Sequence, residues 1–308
     1  MTTPQPIVHD VGLRDGLQME QHTVPTEQKR RWVERLYASG VDIIQVGSFV
    51  HPTKVPQMAD TDRLVQDLRA SGTQPSRVTL SALVLNEKGL ERALACGVEM
   101  ICMGVSASET HSRKNTGMGV AEATERIIAI ARRAQEEKRK VQVSVQSAFG
   151  CGFEGPIAPA AVLSIIGRYL EAGLRTVSLA DTAGHASPPQ VERLCTEIRR
   201  LEERVELACH FHNTYGLGLA NCYAALQAGV AMFESAAGGL GGCPFTKVAG
   251  GNVSTEDMVH LFHRLGLRRD IQLGSLLDLA KDLAMYFERD MPGMVYKTGP
   301  IPEGQGAR

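Results

Sequence analysis

The chain has 308 residues, 43% of them hydrophobic, and a formal net charge of −1. That length and apolar content suit a core larger than most single domains hold, α/β barrels excepted. With an isoelectric point near 6.8, there is no basic stripe for nucleic acid and no basic tail for a membrane surface.

In chain order, strand and helix patterns alternate about eight times. Ile7–Val11 reads as a short strand. Thr26–Ser39 reads as a helix, capped by Thr26 and stopped by Gly40. The pairs then run Val41–Phe49 and Ala59–Ala70, Arg77–Leu85 and Glu87–Cys96, Val98–Val105 and Val120–Lys138. The polar stretch Ser106–Gly119 is expected to be a loop. Val141–Ala148 precedes Ala160–Ala172, and Thr176–Ala180 precedes a helix opened by Pro188 and Pro189 that runs to about Glu203. Val205–His212 and Leu217–Ala228 follow, then Met232–Ala237 and Ser254–Leu265. Leu273–Glu288 is an additional C-terminal helix.

Such alternation predicts parallel strands with helical crossovers. Eight units in this length predict an α/β fold, a (β/α)8 TIM barrel occupying residues 1–289. A doubly wound open sheet is the alternative, disfavoured because no G-x-G-x-x-G follows the first strand. Residues 290–308 lack periodicity and are expected to form a tail or a lid.

The seven cysteines are scattered without a C-x-x-C, which predicts reduced thiols and a cytoplasmic setting. The N-terminus lacks the basic and apolar regions of a signal peptide. No apolar run reaches the roughly 18–20 residues that span a bilayer.

Active sites of barrels are built where strands end at their C-terminal side. The polar residues at those ends are Arg14, Asp15 and Gln18 after the first strand and Gln45 and Ser48 on the second. Asp181 ends the sixth, and His210 and His212 end the seventh. A glycine-rich segment with Cys243 follows the eighth, and Asn252 lies beyond it. In a strand, i and i+2 share a face, so His210 and His212 aim two imidazoles at one point. Taken singly, each residue has a plain explanation: a surface ion pair, a turn former, a small buried thiol. One barrel rim accounts for all of them. Asp15, His210, His212 and Asn252 make a mixed nitrogen and oxygen set without thiolate. Such a set suits Mg2+ or Mn2+, with Co2+ and Zn2+ as alternatives.

The segments Val11-Gly12-Leu13-Arg14-Asp15-Gly16-Leu17-Gln18, His210-Phe211-His212-Asn213-Thr214-Tyr215-Gly216 and Gly239-Leu240-Gly241-Gly242-Cys243-Pro244-Phe245 resemble the DRE-TIM metallolyases. Within them the likeness is to 3-hydroxy-3-methylglutaryl-CoA lyase, and it covers nearly the whole chain. The resemblance implies a divalent cation on Asp15, His210, His212 and Asn252. It implies cleavage of a 3-hydroxyacyl-CoA to acetyl-CoA and a keto acid. Arg14 would stabilise the enolate, Cys243 would take part in proton transfer, and Asp181 would be an acid/base or orienting group. Glu256 would stand behind the metal ligands, and Gln18, Gln45 and Ser48 would line the substrate site.

Two positions depart from that family. Gln45 stands where the lyase has Glu, and Asn213 where it typically has Asp. Both remove a negative charge, which is expected to make the pocket more positive and to favour a different acyl group, such as that of citramalyl-CoA. An acetyl-CoA-using synthase or aldolase on the same barrel is the alternative enzyme class, and a non-catalytic binding protein the alternative outside enzymes. Lys54, Arg113 and Lys114 are candidates for CoA by position alone. The expected partner is a small acyl-CoA, and a homodimer or higher homo-oligomer stays open.

Overall fold

The computed structural model describes residues 5–242 and 251–301. Eight parallel strands close on themselves in sequence order: β1 Ile7–Asp10, β2 Ile43–Ser48, β3 Thr79–Leu83, β4 Met100–Ser106, β5 Lys140–Gln146, β6 Thr176–Asp181, β7 Glu206–Phe211 and β8 Met232–Ser235. Closure comes from β1 pairing with β8, with His9 opposite Glu234. The open-sheet alternative is thereby excluded.

Around the barrel lie α1 Thr26–Ser39, α2 Thr61–Ser71, α3 Glu87–Cys96, α4 Glu109–Thr116, α5 Val120–Glu136, α6 Pro159–Glu171, α7 Pro188–Leu201, α8 Gly218–Gln227 and α9 Thr255–Arg264. α10 Leu273–Tyr286 is the additional helix, and a short α11, Val295–Thr298, follows it. Local chemistry sets many of their ends. Asn86 Oδ1 accepts the Gly89 N–H at 2.8 Å to start α3, and Gly40 and Gly97 close α1 and α3 in left-handed conformations. Trp32 on α1 donates to Asp282 on α10 at 2.8 Å, which ties the extra helix to the barrel wall.

The expected loop 106–119 contains α4. Ser108 Oγ accepts the His111 N–H at 3.0 Å, and Gly117 ends the helix at φ +78°. Its sequence has no apolar stripe, so hydrophobic periodicity does not announce it. Between the strand wall and the helices lies the main apolar core. Inside the barrel the composition changes with height. Ile7, Ile43, Met100, Ala208 and Met232 cluster at the lower end. One layer up stand buried polar groups: His9, Gln45, Ser81, Gln142, Ser178, His210 and Glu234.

Candidate active site

The polar layer opens upward into a cavity of about 340 Å³ at the C-terminal ends of the strands, with Arg14, Asp15, Gln45, His210 and His212 in its wall. Asp15 is carried by a helical turn, Gly12–Gly16, in which the Asp15 and Gly16 N–H groups both turn back on the Val11 carbonyl. Such single turns of wide helix are frequent at functional sites. Asp10 pins the start of that turn by accepting the Gly12 N–H at 2.9 Å.

The two imidazoles meet as strand alternation requires. His210 Nε2 and His212 Nε2 are 3.1 Å apart, and each lies within 3.7 Å of Asp15 Oδ2. All three ligand atoms are within 4.8 Å of one another, a group that could hold a metal ion. Asn252 joins the set through Asp15, donating its Nδ2 to Asp15 Oδ2 at 3.0 Å and to the Leu240 carbonyl at 2.9 Å. Asn252 Oδ1 is buried and has no hydrogen-bond partner among the described residues, which suits an oxygen whose partner is a cation. Two imidazole nitrogens and a carboxylate oxygen thus converge on a point that could hold a divalent ion.

Glu234, which sequence reasoning missed, completes the arrangement. Its Oε2 lies 3.0 Å from His210 Nδ1, which places the ring proton on Nδ1 and leaves the Nε2 lone pair facing Asp15. Gln142 Nε2 donates to the other oxygen at 2.9 Å. Burial works against a charge on Glu234, but the hydrogen bond to His210 prevails and holds the carboxyl at about 2. A glutamate inside an otherwise apolar strand, Met232-Phe233-Glu234, was the available signal. Burial likewise opposes a charge on Asp15, yet the Arg14 guanidinium and both imidazoles keep its carboxyl well below the usual range. Arg14 bonds Asp15 Oδ1 through Nη1 and the Gln45 amide oxygen through Nε.

The other expected site residues are distributed more widely. Gln18 lines the cavity. Ser48 is buried with its Oγ unpartnered, outside the cavity wall. Asp181 also lies outside it, whereas its neighbours Ala180 and Thr182 line it. Asp181 Oδ1 accepts the Ala186 N–H at 3.1 Å, and burial pushes its carboxyl up to about 6. Glu256 makes no hydrogen bond to Asp15, His210, His212 or Asn252 among the described residues. Its Oε2 accepts the Gly238 N–H at 3.0 Å, and burial raises its carboxyl to about 8. Cys243 lies outside the described residues. Asn213 corrects an expectation: it is exposed and accepts the Gly218 N–H at 3.0 Å at the start of α8. Only Gln45 of the two departures therefore changes the charge of the cavity.

Of the positional CoA candidates, Arg113 is exposed beside Glu109, and Lys114 sits over the Phe153 ring at 3.8 Å. Among the described residues no helix is long and apolar enough to cross a membrane, and all six cysteines are free and buried.

A parallel eight-stranded barrel with a carboxylate–imidazole set and an arginine at its mouth has the layout of a TIM-barrel enzyme with a possible metal site. A family model described as HMGL-like matches residues 5–283, and the chain belongs to that family. It is 37% identical over 298 residues to the (R)-citramalyl-CoA lyase of Chloroflexus aurantiacus, covering 95% of this chain and 94% of that protein. It is 35% identical over 286 residues to a hydroxymethylglutaryl-CoA lyase of Bacillus subtilis, covering 92% and 94%. An HMG-CoA lyase from Acinetobacter baumannii, solved with coenzyme A and 3-methylmalate, superposes with a TM-score of 0.90 at 35% identity over 98% of this chain and 99% of that one. With such relatives, the chain is an enzyme of the oxo-acid lyase class.

Proposed function

We propose that this enzyme cleaves the C2–C3 bond of a 3-hydroxyacyl-CoA, releasing acetyl-CoA and a keto acid. The observation that carries the reading is the Asp15, His210 and His212 set standing beside Arg14 at the open end of the cavity. Asp15, His210, His212 and Asn252 would hold Mg2+ or Mn2+. The ion, when bound, supplies Lewis-acid polarisation of the substrate hydroxyl.

In the retro-Claisen step the 3-hydroxyl gives its proton to solvent at the open end of the cavity, which later returns one to the acid that protonates C2; the oxygen pair closes to the C3 carbonyl and the C2–C3 electron pair moves to C2. The pair is delocalised into the thioester as an enolate. Arg14, in the cavity wall beside Asp15, would stabilise that developing charge. Cys243 is proposed as the acid that protonates C2 to the methyl of acetyl-CoA. Asp181 takes an orienting role: it bonds the Ala186 N–H, and its own carbonyl accepts the Gly184 N–H at 3.1 Å. Those two bonds hold the turn that presents Thr182 to the cavity.

The acyl group follows from Gln45. Its neutral amide accepts from Arg14, so the guanidinium faces one carboxylate, Asp15, where a glutamate at position 45 would supply a second. More positive charge is left for the substrate. Both candidate acyl groups carry one free carboxylate, and that of citramalyl-CoA is one methylene nearer C3 and so nearer this charge; citramalyl-CoA is therefore the substrate to set against methylglutaryl-CoA, and lyases of both kinds are among the relatives.

The test is acetyl-CoA release with Mg2+ or Mn2+ from both thioesters, by the native enzyme and by Gln45→Glu. Faster cleavage of citramalyl-CoA by the native enzyme, with Gln45→Glu shifting preference toward the methylglutaryl substrate, is expected. Efficient methylglutaryl cleavage indifferent to that substitution would overturn the specificity reading and leave the reaction class standing.

A further inference from the structure

The chain beyond α10 returns to the barrel mouth and lies across residues 238–240. Gly238 and Gly239 both have left-handed backbones, at φ +69° and +71°. Glycine has little preference of its own there, so its neighbours decide the path. The Gly238 N–H is taken by Glu256 at 3.0 Å, and the Gly238 carbonyl accepts the Gly293 N–H at 3.1 Å. A Cβ on Gly238 would come within 3.0 Å of Met291 Cγ, and one on Gly239 within 3.1 Å of Pro292 Cβ.

The returning segment is itself anchored. Asp257 accepts the Met294 N–H at 2.9 Å and the Val295 N–H at 2.7 Å. Arg289 forks onto Glu20 at 2.5 and 3.1 Å. Tyr296 Oη accepts the Met291 N–H at 2.8 Å. Met291 is buried, and no residue of the segment lines the cavity.

The turn it presses on leads to Leu240, whose carbonyl accepts Asn252 Nδ2. That same Nδ2 meets Asp15, and Asn252 Oδ1 is the buried atom without a partner. We propose that residues 289–299 form a strap that positions Asn252 for the cation, acting through the Gly238–Gly239 turn and the Leu240 carbonyl. This rests on the reading of Asp15, His210, His212 and Asn252 as the metal site. The strap residues are positioning residues; none touches the substrate.

Two substitutions disturb the strap in opposite ways. Gly293→Val inserts bulk where a Cβ would lie 2.3 Å from Glu256 Oε1 and 3.2 Å from Ser254 Cβ. The pair Met291→Ala and Pro292→Ala removes the packing on the turn. A remote core substitution, Val162→Ala on α6, serves as the stability control. Mn2+ binding is followed by the loss of the free-ion EPR signal, and kcat and KM for the acyl-CoA are measured over a range of Mn2+.

Both strap variants are expected to weaken Mn2+ binding about tenfold, the lower end for groups that hold metal ligands in place. Saturating Mn2+ should restore most of kcat, with KM for the acyl-CoA within about twofold of native. Val162→Ala should lower the melting temperature and leave Mn2+ affinity unchanged. Native-like affinity in both strap variants, or an equal loss in Val162→Ala, would overturn the strap. A native protein that takes up no Mn2+, or whose uptake survives His210→Ala, would overturn the metal site itself and the strap with it.

Discussion

The two ends of the barrel interior are built to opposite rules. At the lower end Ile7, Ile43, Met100, Ala208 and Met232 meet without a charge among them. One strand step higher, His9, Ser81, Gln142, Glu234 and His210 are as deeply buried and fully polar. Period-two alternation makes the change abrupt: Ala208 and His210 are successive inward residues of β7, and Met232 and Glu234 of β8. The lower layer has nothing to satisfy a charge. The upper layer satisfies its carboxylate twice, through His210 and Gln142. The charge at the barrel mouth thus rests on an apolar plug, and polar burial is tolerated only where the bonds close.

The largest effect should come from breaking the rule at the plug. Ala208→Asp buries a carboxylate with no partner and is expected to cost about 3–5 kcal/mol, the range for an uncompensated buried charge. Urea unfolding would show it, and a loss below about 1 kcal/mol would mean the lower layer admits water or counter-charge. A smaller effect is expected one layer up. Glu234→Gln keeps the shape but no longer enforces the His210 tautomer. Metal affinity should fall about 10–100-fold with little change in melting temperature. Mn2+ titration by EPR checks this, and an unaltered affinity would show that His210 needs no partner at Nδ1.

Legibility in the sequence followed the same division. The barrel was readable because eight apolar strands alternate with amphipathic helices, and Asp15, His210 and His212 because strand ends and an i, i+2 pair fix where side chains go. Glu234 stands level with His210 in the same polar layer, but its signal, a single charge between Phe233 and Ser235, is one residue and not a spaced pair. α4 carries no apolar stripe, so its sequence has no period to set it apart from a loop. Asn213 was expected beside the metal because it adjoins His212 in sequence. One residue further along the chain the backbone has left the strand, and its side chain serves α8 instead. Asp181 and Glu256 show the remaining limit: a carboxylate near a motif can be spent on backbone N–H groups that no pattern encodes.

The last effect, a slope with pH and not a single loss, concerns that carboxylate and sharpens the contrast between two buried glutamates. Glu234 has two charged or amide partners and stays ionised, whereas Glu256 has one N–H and an unpartnered oxygen, and burial raises its carboxyl from 4.5 to about 8. Between those values the folded protein holds a proton that the unfolded chain releases. The sign is therefore fixed: this group makes stability fall as pH rises from about 4.5 to about 8. The slope is at most about 1.4 kcal/mol per pH unit for one proton. Glu256→Gln removes the titration and should flatten the decline, so that the variant loses less stability than native protein between pH 5.5 and 7.5. Urea midpoints measured with chelator present isolate the group from metal binding. Parallel slopes in the two proteins would show that Glu256 is ionised in the fold, with a counter-charge on its free oxygen.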